Sequence, residues 1–406
     1  MAIWRQSGTV WIGAMAAAGL ALATQIVLAR NFDSGTFGAL SNGYSLSILI
    51  ATFAFHGVSE VMLRRTAPVG VAAGIRAACL LLVAGLLTAF AWTILSGEVD
   101  RDPALLCSFI PFVIIQGGIT GGMLAFQIER SSTGIAAWPG GFQAVRLGVA
   151  LVVLSLGASA IWIPLGWSIA LIPMAWIGLS RLQATGRWKN DASSMPGLRL
   201  VRHSFPFSAT RLLEFAELQL PIVLAMPLLG ASDTGRLAAC LAIIQGLLLL
   251  PISVFQRLLR PRFHDWSETD PVRLRSFGLG GAAVMLIAGL LLGQALRPFS
   301  ASLLSTIFGE DFSTYAGFLE QMTMLVPIWF ASIAVNATLV STRMADLRLA
   351  CQFVGITILV VITLLSGDDR SSATEGLLRG MFASQVFLLI SGVVLLLKAR
   401  STSSRT

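Results

Sequence analysis

The sequence predicts an all-α, polytopic membrane protein of about twelve transmembrane helices. Three observations predict it. Of 406 residues, 55% are hydrophobic, and the mean hydropathy is +0.80. Only 12% are charged, against roughly 25% in a soluble domain. The apolar residues also come in blocks long enough to cross a bilayer, with few polar faces between them. A soluble protein with a large core would need amphipathic helices, and most of these blocks show none.

Turn residues and charges divide the chain into spans near 10–29, 38–58, 69–95, 104–127, 134–159, 161–180, 205–229, 236–256, 277–296, 318–341, 349–366 and 377–397. The N-terminal block resembles a secretion signal, with Arg5 ahead of it and a small-residue site at Ala21–Ala23. It runs on to Ala29, however, which is the length of a full span. The break between the fifth and sixth spans rests on Pro164 and Gly166. The long polar connection 181–204 separates six spans (1–180) from six (205–406), and the similar lengths suggest a duplicated architecture.

Charge sets the orientation. With the N-terminus inside, the loops on that side hold nineteen basic residues, among them Arg64, Arg65, Arg181, Arg187, Arg257 and Arg343, against five outside, at Arg30, Arg101, Arg236, Arg297 and Arg370. This positive-inside bias places both termini in the cytoplasm. The net charge of +8 therefore reflects topology, and nucleic acid is not an expected partner. The basic loop 257–275 reads as a positive-inside anchor, or as a surface for anionic headgroups of the inner membrane lipids. Cys79, Cys107, Cys240 and Cys351 have no metal spacing and read as small core residues.

Charged residues inside spans are costly and usually face a cavity or a partner. Arg146 lies about half-way along the fifth span, with Gln143 one helical turn away. A guanidinium there suits a phosphate or diphosphate; the alternative is a structural salt bridge. Arg76 in the third span is close enough to an end to snorkel, as are Glu320 and Arg379. In the seventh span Arg211 and Glu214 share a face at spacing three and can pair. Glu217 is one step further, drifting off that face. Glu214 and Glu217 are the candidates for coupling to a proton or sodium gradient. Gln116, Gln143 and Asn336 are candidate polar groups of a cavity, or ordinary helix–helix contacts. No nucleotide loop, metal-spaced histidine cluster or nucleophile elbow is visible, so no metal, cofactor or catalytic residue is expected.

The first hairpin, "VLARNFDSGTFGALSNGYSLSILIATFAFHGVSEVMLRR", resembles the start of the polysaccharide biosynthesis flippases. These are the O-antigen and exopolysaccharide lipid-linked repeat-unit transporters of the multidrug/oligosaccharidyl-lipid/polysaccharide exporter superfamily. Leu28, Ala29 and Arg30 match the opening of their pattern and Phe37 and Gly38 its end, while Gly57 and Arg64 fit the close of the second helix. Leu229, Gly230, Pro261 and the "IFGEDF" turn are weaker echoes in the second half. Asp33, Pro221 and Arg236 depart from it: there the pattern has a glycine, an aspartate and a glycine.

The resemblance implies two six-helix bundles around a central cavity. It implies alternating access that carries a polyprenyl-diphosphate-linked oligosaccharide across the inner membrane for polysaccharide biosynthesis, with a polymerase and glycosyltransferases as partners in the pathway. Arg146, then Arg76 and Arg211, are the residues for the diphosphate on that view. The rivals are a drug/cation exporter of the same superfamily, a non-transporting membrane scaffold of a polysaccharide assembly complex, and a glycan polymerase, which the short outside loops disfavour.

Overall fold

A computed structural model describes residues 2–64, 69–95, 103–186, 188–189, 197–340, 344–366 and 370–398. Arg65, Arg101, Arg187, Arg343, Arg400 and Arg405 lie outside them, as do residues 190–196 of the 181–204 connection. Twelve helices are long and apolar enough to cross a membrane: α1 (Gly8–Asn31), α2 (Ser34–Leu63), α3 (Val71–Thr93), α4 (Pro103–Ile128), α5 (Ser132–Ser155), α6 (Trp162–Ala184), α7 (Leu198–Leu229), α8 (Ala231–Phe255), α9 (Pro271–Ile307), α10 (Glu310–Leu339), α11 (Leu347–Leu365) and α12 (Ser371–Lys398). The protein is all-α and polytopic, consistent with two six-helix bundles. The sole strand pairing among the described residues is a two-residue one, Val69–Gly70 with Trp188–Lys189. By contact the chain divides into Met1–Gly235 and Arg236–Thr406.

Helix ends differ from the apolar windows for a physical reason. Polar first turns extend α7 back to Leu198 and α10 back to Glu310, where hydropathy alone stops at the apolar boundary. Helix α1 is one continuous helix packed along α5. The α5–α6 break is made by Gly157, whose φ of +63° suits glycine, while Pro164 sits in the first turn of α6. The cysteines correct the expectation of core positions: Cys240 is buried, but Cys79 and Cys107 are exposed. A thiol is apolar enough to face lipid from a spanning helix.

The turn from α1 to α2 is a capped helix start. Asp33 precedes α2 with extended backbone, and its carboxylate accepts from the Thr36 amide at 3.0 Å and the Thr36 hydroxyl at 2.7 Å. The hydroxyl bond first, then the amide bond, hold the Asp33 carboxyl below its usual range. Its stabilisation is therefore complete above the ordinary aspartate value, about 3.9, and is lost as pH falls through the lower folded value. Asp33→Ala is expected to cost about 1 kcal/mol near neutral pH. Thermal unfolding in detergent should show that gap closing as the buffer is acidified below pH 4.

The starts of α2 and α8 cross closely. A Cβ on Gly38 would overlap the Ala231 carbonyl, and one on Gly235 would overlap the Ser34 carbonyl. The two contacts are reciprocal, since Ser34 and Gly38 are spaced as Ala231 and Gly235 are. The Ser34 and Ser232 hydroxyls lie 3.1 Å apart in the same crossing. Further along, each helix loosens into a π segment, Thr52–His56 on α2 and Ile252–Leu258 on α8.

Candidate functional site

The deepest charge of the first unit is Arg146, 2% exposed. Helix α5 carries Phe142, Gln143 and Arg146 within one turn, so all three converge on one side. Arg146 Nη1 donates to Tyr44 Oη at 2.9 Å and to Gln143 Oε1 at 2.8 Å. The guanidinium carbon lies 4.1 Å from the Tyr44 ring centroid and 4.3 Å from that of Trp167. The charge therefore sits in the corner between a ring of α2 and a ring of α6, which meet edge-on with centroids 6.0 Å apart. Trp167 Nε1 donates to the Arg146 carbonyl at 3.0 Å, which fixes the indole. Phe112 of α4 packs on both sides of this arrangement, 5.5 Å from Trp167 and stacked 6.3 Å from Phe142.

Among the described residues Arg146 makes no ion pair, and its Nε is buried without a partner. The structural salt bridge that was the alternative for this residue is thus absent among them. Each desolvated cation–π contact contributes about 2 kcal/mol, and each charged hydrogen bond about 1.5–3 kcal/mol. Together they are of the order of the several kcal/mol that burying an ion costs. The arrangement holds a cation with no carboxylate among the described residues beside it, and leaves the buried Nε–H unused.

The other sequence candidates are dispersed. Arg211 donates to Glu214 at 2.6 Å, the pair that spacing three predicts, and its side chain is 47% exposed. The guanidinium also lies 4.9 Å from the Phe215 ring centroid. Glu217, half-buried, is on the same helix. Nearby, Ser45 donates to Gln219 at 2.8 Å, joining α2 to α7. Gln116 is buried one turn from Phe112, with its Nε2 unpartnered. Arg76 is exposed on α3 and makes no bond to a described residue. Asn336 is half-buried on α10 of the second unit. Arg379 pairs with Glu375 at 2.6 Å, both well exposed.

A separate cavity of about 630 Å³ opens beside the crossing of α2 and α8. Its lining includes Asp33, Thr36, Leu105, Ile161, Met226 and Ala231, but not Arg146.

Sequence reasoning missed Tyr44, Trp167 and His56. One signal for Tyr44 was available: the chain has only two tyrosines, and one of them stands in an apolar span.

Solved structures of membrane transporters share this fold. The lipid II flippase MurJ in an inward closed conformation is similar with a TM-score of 0.64 and 12% identity, over 94% of this chain and 86% of that one. The eukaryotic MATE transporter AtDTX14 is similar with a TM-score of 0.56 and 13% identity, over 99% of each chain. An outward-facing multidrug resistance MATE family transporter of the MOP superfamily gives 0.53 and 13%, over 99% and 96%. No family model matches the sequence. No curated protein matches it either.

Proposed function

We propose that this chain is a flippase for polyprenyl-diphosphate-linked oligosaccharides in the inner membrane, working by alternating access with both termini in the cytoplasm. The observation that carries this reading is the sign of the buried charge. Among the described residues, the buried charged side chains are Arg146 and Arg348, and no aspartate or glutamate is buried. A carrier of anionic diphosphates gains from buried cations. An exporter of cationic drugs needs carboxylates in their place. In this reading Arg146 contacts the diphosphate once Tyr44 and Trp167 uncover it, with Arg76 and Arg211 as secondary contacts nearer the helix surfaces. The lipid tail stays in the bilayer while the sugars cross beside polar groups such as Gln116, Gln143 and Asn336. The likeness to a lipid II flippase supports the reading, and the likeness to multidrug transporters supports the rival.

The two are separable by reconstitution. Purified protein in liposomes is expected to speed the flipping of a short-chain polyprenyl-diphosphate-linked oligosaccharide, read by loss of its accessibility to an external glycan-modifying enzyme. It is expected not to move ethidium against a pH or sodium gradient. Ethidium transport without glycan flipping would replace this reading with the drug exporter.

A further inference from the structure

His56 is one of three histidines in the chain, and it ends the π segment of α2. Such segments inside α-helices are frequent at functional sites, because an extra residue per turn frees backbone and side chain from the regular ladder. The next residue, Gly57, lies where α2 presses on α7: a Cβ there would overlap the Ser208 hydroxyl and the Ser204 carbonyl. Two polar atoms flank this contact without hydrogen-bond partners among the described residues. They are His56 Nδ1 and Ser208 Oγ, both buried. A buried structural histidine normally satisfies both ring nitrogens, so an orphaned one asks for an explanation.

The charged surroundings are few. Helix α7 presents Arg211 and Glu214, whose fields reach the ring, and Phe215, whose centroid is 6.4 Å from it. Of the other helices packed against the π segment, α4 carries no charged residue between Ile110 and Ile128. Helix α3 offers only Arg76, which is exposed, and α2 itself carries Glu60 one turn on. The imidazole thus sits beside one ion pair, with an unused nitrogen on which to take a proton.

We propose that His56 is a proton-binding site and that the Arg211–Glu214 pair reads its charge across the α2–α7 contact, so that a proton gradient drives the carrier; this coupling step rests on the transport reading above. When Nδ1 takes a proton, the neutral imidazole becomes imidazolium. The new cation attracts Glu214 and repels Arg211, working against their 2.6 Å bond. The pair then loosens, and the half-exposed Arg211 side chain turns away. Loss of the proton restores it. This moves the coupling role from the acidic residues alone to a histidine.

The test has two arms on the full-length protein. In lipid nanodiscs with ¹⁵N-labelled histidine, the signal absent from His56→Asn is expected to titrate between pH 4 and 9. Its midpoint should move in opposite directions in Glu214→Gln and Arg211→Gln, because the two charges act on the ring with opposite sign. A signal that does not titrate, or one indifferent to both substitutions, overturns the site. In liposomes, the ratio of flipping of the same polyprenyl-diphosphate glycan with and without an imposed pH gradient should exceed one for the parent and fall to one in H56N. A ratio unchanged in H56N overturns the coupling while leaving the flippase reading intact. Absence of any flipping by the parent overturns the flippase reading, and the titration arm still decides the site.

Discussion

Arg146→Met is expected to leave the protein folded and to cut glycan flipping at least about tenfold. The two halves of this expectation have different causes. Methionine nearly matches the arginine stem in length, and its thioether packs favourably against rings, so Tyr44, Trp167 and Phe142 keep a neighbour. The substitution strands the Tyr44 hydroxyl and the Gln143 carbonyl, at about 1–3 kcal/mol each. It also removes a buried, unpaired charge whose desolvation costs several kcal/mol. These offset, so the thermal midpoint in detergent should move by only a few degrees. Transport has no such compensation. A guanidinium that holds a diphosphate contributes about 1.5–3 kcal/mol for each charged hydrogen bond, and each 1.4 kcal/mol is about tenfold. Arg146→Lys should fall between parent and methionine, since it keeps the charge but loses the planar fork and the stacking. Normal flipping by a well-folded R146M would make Arg146 a packing residue and send the search for the diphosphate contact to Arg76 and Arg211.

The fold was legible in the sequence, and the site only in part, and the reason is the range of the signals involved. Spanning helices are read from a local quantity, mean hydropathy over about twenty residues. All twelve appear where the apolar blocks are, with their polar first turns added. The Arg211–Glu214 pair was also legible, because spacing on one helix brings them together. Arg146 was legible as a deep charge. Its surroundings beyond Phe142 were not, since Tyr44, Phe112 and Trp167 come from three other helices, and sequence separation carries no information on which rings meet. Aromatic residues in a membrane span are also the default packing material, so nothing marked these as a cation cage. Nothing in the spacing of the sequence marks His56. What singles it out is the π segment, a backbone feature that side-chain periodicity does not encode.

The first hairpin carries the second large expected effect. Gly38→Ala and Gly235→Ala should each destabilise the protein by about 1–3 kcal/mol, and the double variant should cost clearly less than their sum. Each added Cβ meets a backbone carbonyl of the facing helix, and a carbonyl cannot rotate aside as a long side chain can. The helices must therefore separate at that point. Because the contacts are reciprocal and only one turn apart, the separation forced by the first alanine also makes room for the second. A coupling of about 0.5–3 kcal/mol is the usual size for residues that share one contact. Thermal unfolding of the parent, the two single variants and the double variant in one detergent measures it. An independent distance readout is available at the same place. The Ser34 and Ser232 hydroxyls are 3.1 Å apart, so a Ser34→Cys, Ser232→Cys pair should cross-link readily under mild oxidation. The same pair in the Gly38→Ala background should cross-link poorly. Strict additivity of the two alanines, with undiminished cross-linking, would mean that the crossing yields at each glycine separately. The helix starts would then be two neighbouring contacts, with no single reciprocal joint between them.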